Sequence, residues 1–175
     1  CRASMMMTTV YFAIGSYLWG SIPSAYLVAR FAKGIDIRSY GSRNAGATNV
    51  MAHVGMRTGF LLGVFDCLAK GTIPVVIARL ADQGPSVQAA VGLAAIAGHN
   101  WSPYLRFSGG RGVATAIGVI VGVGLFWESL ILAVVMGAAG RLLFRDAGLW
   151  TFIAMLTLPV LAYLFQRPPE IIYMT

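Results

Sequence analysis

Runs of about twenty mostly apolar residues recur along this chain, and that recurrence decides what it can fold into. One runs from Thr8 to Phe31 and a second from Phe60 to Arg79. Two more extend from Trp127 to Phe144 and from Leu149 to Phe165. Two shorter apolar segments, Val87–Gly98 and Val113–Leu125, lie between them. With 11% charged residues and a mean hydropathy of +0.75, the 175-residue chain lacks the polar surface a soluble domain needs. The solvent that suits such runs is lipid, where the backbone must satisfy its own hydrogen bonds. The expected fold is therefore all-α. It is a polytopic transmembrane bundle of about six to seven helices, some short or broken, forming one integral-membrane domain over residues 1–175.

The net charge of +7 points to orientation rather than to nucleic acid. With the N-terminus outside, nine basic residues face the cytoplasm: Arg30, Lys33, Arg38, Arg43, Arg57, Arg106, Arg111, Arg141 and Arg145. Three face out, Arg2, Arg79 and Arg167, and Lys70 is intramembrane. This bias puts the two richest polar loops on one side, where they can converge. Cys1 and Cys67 suggest no disulfide framework, and no Cys/His cluster has metal-ligand spacing. The chain opens at Cys1 instead of Met, which points to a fragment or a mis-assigned start.

The first loop contains Gly41-Ser-Arg-Asn-Ala-Gly-Ala-Thr-Asn49, three glycines with hydroxyls, amides and an arginine and no acid. Such donors suit a phosphate oxyanion. The second loop carries Gly109-Gly-Arg-Gly112 at the start of a helix near Val113, a further anion-binding pattern. His99, beside Asn100 and followed by Arg106 and Arg111, is a candidate general base or phosphate ligand. His53 has weaker company and is read as structural. Asp66 and Lys70 form an i,i+4 pair inside a span, where ionisable groups are costly and default to function. Pro23, between Ser21 and Ser24, is expected to kink the first span, with serine hydroxyls bonding freed backbone groups.

Three stretches together resemble the signatures of the bacterial acyl-phosphate:glycerol-3-phosphate acyltransferases. They are Gly-Ser-Arg-Asn-Ala-Gly-Ala-Thr-Asn-Val (41–50), Phe-Asp-Cys-Leu-Ala-Lys-Gly-Thr-Ile-Pro-Val (65–75) and the run from Gly98 through Arg111 to Ala116. The resemblance implies transfer of an acyl chain from acyl phosphate to the 1-hydroxyl of glycerol 3-phosphate, giving lysophosphatidate and phosphate. It implies no cofactor and no metal, with the two substrates and membrane lipid as partners; a monomer is an open expectation, since the sequence is silent on oligomeric state. It implies a bacterial inner-membrane location with the active loops cytoplasmic. Carried over to this chain, His99, Asn100 and Ser42 form the catalytic set. Asn44, Gly46, Thr48, Asn49, Lys70, Gly71, Gly110 and Arg111 bind substrate or phosphate, and Arg43, by its own charge and not by the resemblance, is a further phosphate-binding candidate. Asp66 and Arg106 support them.

The match has departures. Arg43 stands where the family has Gly, and Ala52 where it has Arg. One extra residue lies between Asp66 and Lys70. Arg106 and Arg111 replace lysines, which keeps charge but not geometry. Ser108 replaces a third basic residue. The family's C-terminal His and Asn find no counterpart before Thr175, so the chain is expected to be truncated or divergent. Arg43 is a candidate replacement for the charge missing at Ala52. Two other readings stay open: a non-catalytic homologue that binds a phosphorylated lipid or a membrane partner, and a small transporter with Asp66 and Lys70 along its path.

Overall fold

The structure, a computed structural model, describes residues 2–128, 130, 131, 134 and 157–167. Among them every regular element is helical. The expected spans Trp127–Phe144 and Leu149–Phe165 fall mostly outside the described residues, which show helix at 126–128, 130, 131, 134 and 157–164.

The first span is two helices, not one kinked helix. Helix α1 covers Arg2–Gly20 and α2 covers Ser24–Lys33. Between them Pro23 has no N–H to continue the ladder and takes the N-cap position of α2. Helix α2 ends where Gly34 turns left-handed at φ +69° and its N–H returns to Arg30 O. Asp36 then caps a short 3₁₀ turn, Ile37–Ser39, by accepting from Arg38 N. Helix α3 is Ala47–His53.

The second span is one continuous helical stretch, Met56–Leu80, of 25 residues and mean hydropathy 1.8. That length exceeds the roughly 20 residues a bilayer needs. It consists of α4 (Met56–Phe65), a π-helical turn (Asp66–Thr72) and α5 (Ile73–Leu80). Helix α6 runs Pro85–Asn100, four residues longer than expected because Gly84 and Pro85 start it early and His99 and Asn100 remain helical. Helix α7, Val113–Gly122, is short as expected.

Glycines let these helices approach to backbone contact. A Cβ on Gly20 would strike Ala95 O and one on Gly98 would strike Tyr17 O, so α1 and α6 pack without side chains between them. Gly71 and Gly118 do the same for the π turn and α7. A hydrophobic cluster, with Ala25, Ala29, Ile37, Val50, Leu62 and Leu105 buried, lies beneath the first loop and gives it a fixed floor. Outward-facing Phe31, Phe60, Leu61, Leu80 and Leu93 are exposed, as side chains bordering lipid are.

Candidate functional site

The first loop holds its shape by internal bonds. Asn49 is buried, and its amide nitrogen shares its hydrogens among Ile37 O, Tyr40 O and Asn44 O, each at 3.0 Å. These bonds commit its amide N–H groups to shaping the loop, while the residue itself still lines the cavity described below. Gly41 is left-handed at φ +52°, and a Cβ there would meet the His53 ring and Asn49 Oδ1. His53 thus backs the loop from behind, which agrees with its structural reading. Arg43 also has positive φ, +56°, which explains why glycine suits that position. Its side chain is exposed and is not among those lining the cavity described below. Ala52 is exposed on α3.

The second loop folds back over the end of α6. Gly109 N donates to Asn100 O and Gly110 N to His99 O, both at 3.0 Å. These bonds satisfy carbonyls that a helix end leaves open. They also commit the Gly110 N–H, a donor expected to face phosphate. Glycine is required at 110 for closeness, since a Cβ would meet the His99 ring and Ala45 O. Gly112, left-handed at φ +71°, caps α7 and turns Arg111 toward the first loop. Arg106 is exposed at φ +54° and does not line the cavity.

The two loops are tied together by Arg38. It pairs with Asp36 at 2.7 Å, lies 5.3 Å from the Tyr26 ring centroid, and donates to Leu105 O at 3.3 Å. The guanidinium holds the Asp36 carboxyl below its ordinary 3.8, chiefly through their side-chain hydrogen bond.

Between the loops lies a cavity of about 540 Å³. Ser42, Asn44, Gly46, Thr48 and Asn49 line it from the first loop, Arg111 from the second, with His99 and Asp66 deeper. The apolar flank of α7, including Ala114 and Ile117, forms the remaining wall. A smaller recess beside it brings Lys70 and His99 together with Ser24. Asp66 and Lys70 are almost fully buried, 1% and 3% exposed, and pair at 3.0 Å. Ser24 Oγ donates to Asp66 Oδ1 at 2.8 Å and accepts from Lys70 Nζ at 2.7 Å. Ser24 therefore serves the ion pair and not the broken backbone. Ser21 does bond backbone, at Tyr17 O, while its own carbonyl accepts from Ser102 Oγ.

The extra residue between Asp66 and Lys70 has a structural counterpart. The stretch Asp66–Thr72 is π-helical, with Ile73 N donating to Leu68 O five residues back. A π turn absorbs one added residue without rotating the rest of the helix off its face. Lys70 and Gly71 consequently stay against α2 and α7.

Three buried polar atoms have no hydrogen-bond partner among the described residues: His99 Nδ1, Asn100 Oδ1 and Thr115 Oγ1. Orphaned buried polar atoms are uncommon and call for a reason; one belongs to His99, which lines the cavity, and another to Asn100 next to it in the chain, which does not. Thr115 was not among the residues expected here, and Ser24 was expected to bond backbone freed at Pro23. Ser24 meets Asp66 only in three dimensions, across 42 positions of sequence, so no local signal marks that partnership.

An all-helical protein with exposed apolar flanks, holding a basic, glycine-rich pocket over a buried ion pair, belongs to the class of membrane enzymes acting on anionic substrates. A model of the glycerol-3-phosphate acyltransferase family matches residues 10–175. Over 170 residues the chain is 39% identical to the glycerol-3-phosphate acyltransferase of Endomicrobium trichonymphae, covering 97% of this chain and 84% of that one. It is 41% identical to that of Geotalea daltonii, covering 97% and 86%. Among solved structures it resembles PlsY (YgiH), an integral membrane glycerol 3-phosphate acyltransferase, in its glycerol 3-phosphate form. The TM-score is 0.83 at 32% identity, over 95% of this chain and 82% of that one. The lysophosphatidic acid form gives a TM-score of 0.80. The chain belongs to the glycerol-3-phosphate acyltransferase family.

Proposed function

We propose that this chain transfers an acyl group from acyl phosphate to the 1-hydroxyl of glycerol 3-phosphate, giving lysophosphatidate and inorganic phosphate. The observation that carries this reading is the shared cavity, where Ser42, Asn44 and Thr48 face Arg111 and His99 beside the Lys70 recess. Two anions must meet there, and hydroxyls, amides and cations offset their repulsion. Acyl phosphate is already activated, so positioning supplies most of the catalysis. The acceptor oxygen attacks the acyl carbon, the acyl carbon–oxygen bond to phosphate breaks, and phosphate leaves with the electron pair. We assign the hydroxyl proton to His99, whose Nδ1 has no hydrogen-bond partner among the described residues.

Asn100 and Ser42 complete the catalytic set in this proposal. Lys70 and Gly71 bear on the acceptor, Asn44, Gly46, Thr48 and Arg111 on phosphate. Asn49 and Gly110 hold the loops that carry them, while Arg43 and Arg106 contribute charge at the rim. The acyl chain stays along the apolar α7 wall or in lipid. All these groups come from one copy of the chain, so a monomer suffices. The excess of basic residues on the loop side supports a cytoplasmic site in a bacterial plasma membrane.

The test is phosphate release from a long-chain acyl phosphate by the purified protein in lipid, with and without glycerol 3-phosphate. Acceptor-dependent release with formation of lysophosphatidate is expected. Folded protein that releases no phosphate on adding the acceptor would overturn the proposal.

A further inference from the structure

We infer that Trp19 is a positioning residue for Lys70, because its indole N–H takes over a carbonyl that the π turn leaves without a backbone donor. The argument begins with hydrogen-bond register. Ile73 N donates to Leu68 O, five residues back. The next bond in that register would join residue 74 to Ala69 O, but residue 74 is proline and has no N–H. Trp19 Nε1 donates to Ala69 O at 2.7 Å. A carbonyl in apolar surroundings must find a donor, and here the donor comes from another helix.

Two further contacts give the bond mechanical meaning. Gly20 lies against the backbone of Ala95, which pins the end of α1 that carries Trp19. Thr72 Oγ1 donates to Gly118 O at 2.8 Å, which ties the other flank of the π turn to α7. Ala69 directly precedes Lys70, so fixing its carbonyl fixes the backbone from which Lys70 reaches Asp66 and Ser24. The break at residues 21–23 thereby acquires a use. Its α1 side supplies Trp19 to the main chain of the π turn, and its α2 side supplies Ser24 to the ion pair.

This inference rests on the proposed acceptor role of Lys70, and its test keeps the two apart. Trp19→Phe keeps the ring and removes the N–H. Pro74→Ala restores a backbone donor for Ala69 O. In the natural background, Trp19→Phe should lower the melting temperature and raise KM for glycerol 3-phosphate about five- to ten-fold, with kcat little changed. In the Pro74→Ala background the same change should shift KM less than about two-fold and leave the melting temperature nearly unchanged. Trp19→His, which retains a ring N–H, should recover part of the KM and supplies the comparison if the Pro74→Ala chain does not fold. An unchanged KM in Trp19→Phe, or an equal rise in both backgrounds, overturns the inference. Should wild type fail to use glycerol 3-phosphate, the proposed function falls, and the melting cycle alone then decides whether Trp19 serves the π turn. Equal melting losses in both backgrounds would refute that part too.

Discussion

Removing Lys70 or Asp66 singly should harm the protein more than removing both. The pair sits at 3.0 Å with almost no exposure, bridged by Ser24. At an effective dielectric of about 20, opposite unit charges at that distance attract by about 5 kcal/mol. Stripping water from each ion costs several kcal/mol, so the pair as a whole stabilises little. In Lys70→Met, Asp66 keeps only the Ser24 hydroxyl as a partner, and the uncompensated charge should cost about 3–5 kcal/mol. Asp66→Asn should cost a similar amount. The double variant removes both charges and should lie within about 1 kcal/mol of wild type, a coupling of about 5 kcal/mol or more. Unfolding of the four proteins in mixed micelles, read by tryptophan fluorescence, measures this cycle. Acylation of glycerol 3-phosphate should be lost in all three variants, including the restabilised double. Strictly additive losses would refute the argument that the pair is self-neutralising. Full activity in the double variant would refute a functional role for the charges.

Three other outcomes are expected. Gly71→Ala would place a Cβ 2.8 Å from Gly118 Cα and 2.9 Å from Val119 N, both backbone atoms, so it should lose about 1–3 kcal/mol and most turnover; an unaltered melting temperature would contradict the close packing. Arg43→Gly relieves a left-handed arginine and should gain up to about 1 kcal/mol. Its KM for glycerol 3-phosphate should rise no more than about five-fold, the limit for an exposed charge, and a larger rise would show Arg43 reaching into the site. Asp36 has its pKa lowered by Arg38, so its stabilising effect is present above its ordinary 3.8 and is lost as pH falls through its folded value. The melting-temperature gap between wild type and Asp36→Asn should therefore close in acid, and a gap independent of pH would refute the assignment.

Hydropathy made the helices and their lipid setting legible, because burying an apolar run depends little on what it packs against. The anion chemistry of Gly41–Asn49 and Gly109–Gly112 was legible for a similar reason: donors concentrated in a few positions act as a group wherever the loop lies. Which of those donors remain available was not. Asn49 and Gly110 look like ligands in one dimension, yet their N–H groups are committed to carbonyls that became neighbours only when the loops folded back. Arg43 looked like a replacement charge, and its position is governed by a left-handed backbone. Asp66 and Lys70 announced a buried pair by spacing alone, but Ser24 joined it only across the broken first span. The extra residue before Lys70 read as a departure; in space it is a π turn. Hydrogen-bond register, proline and a tryptophan on another helix decide together that Lys70 keeps its place, and such a coincidence exists only in the tertiary structure.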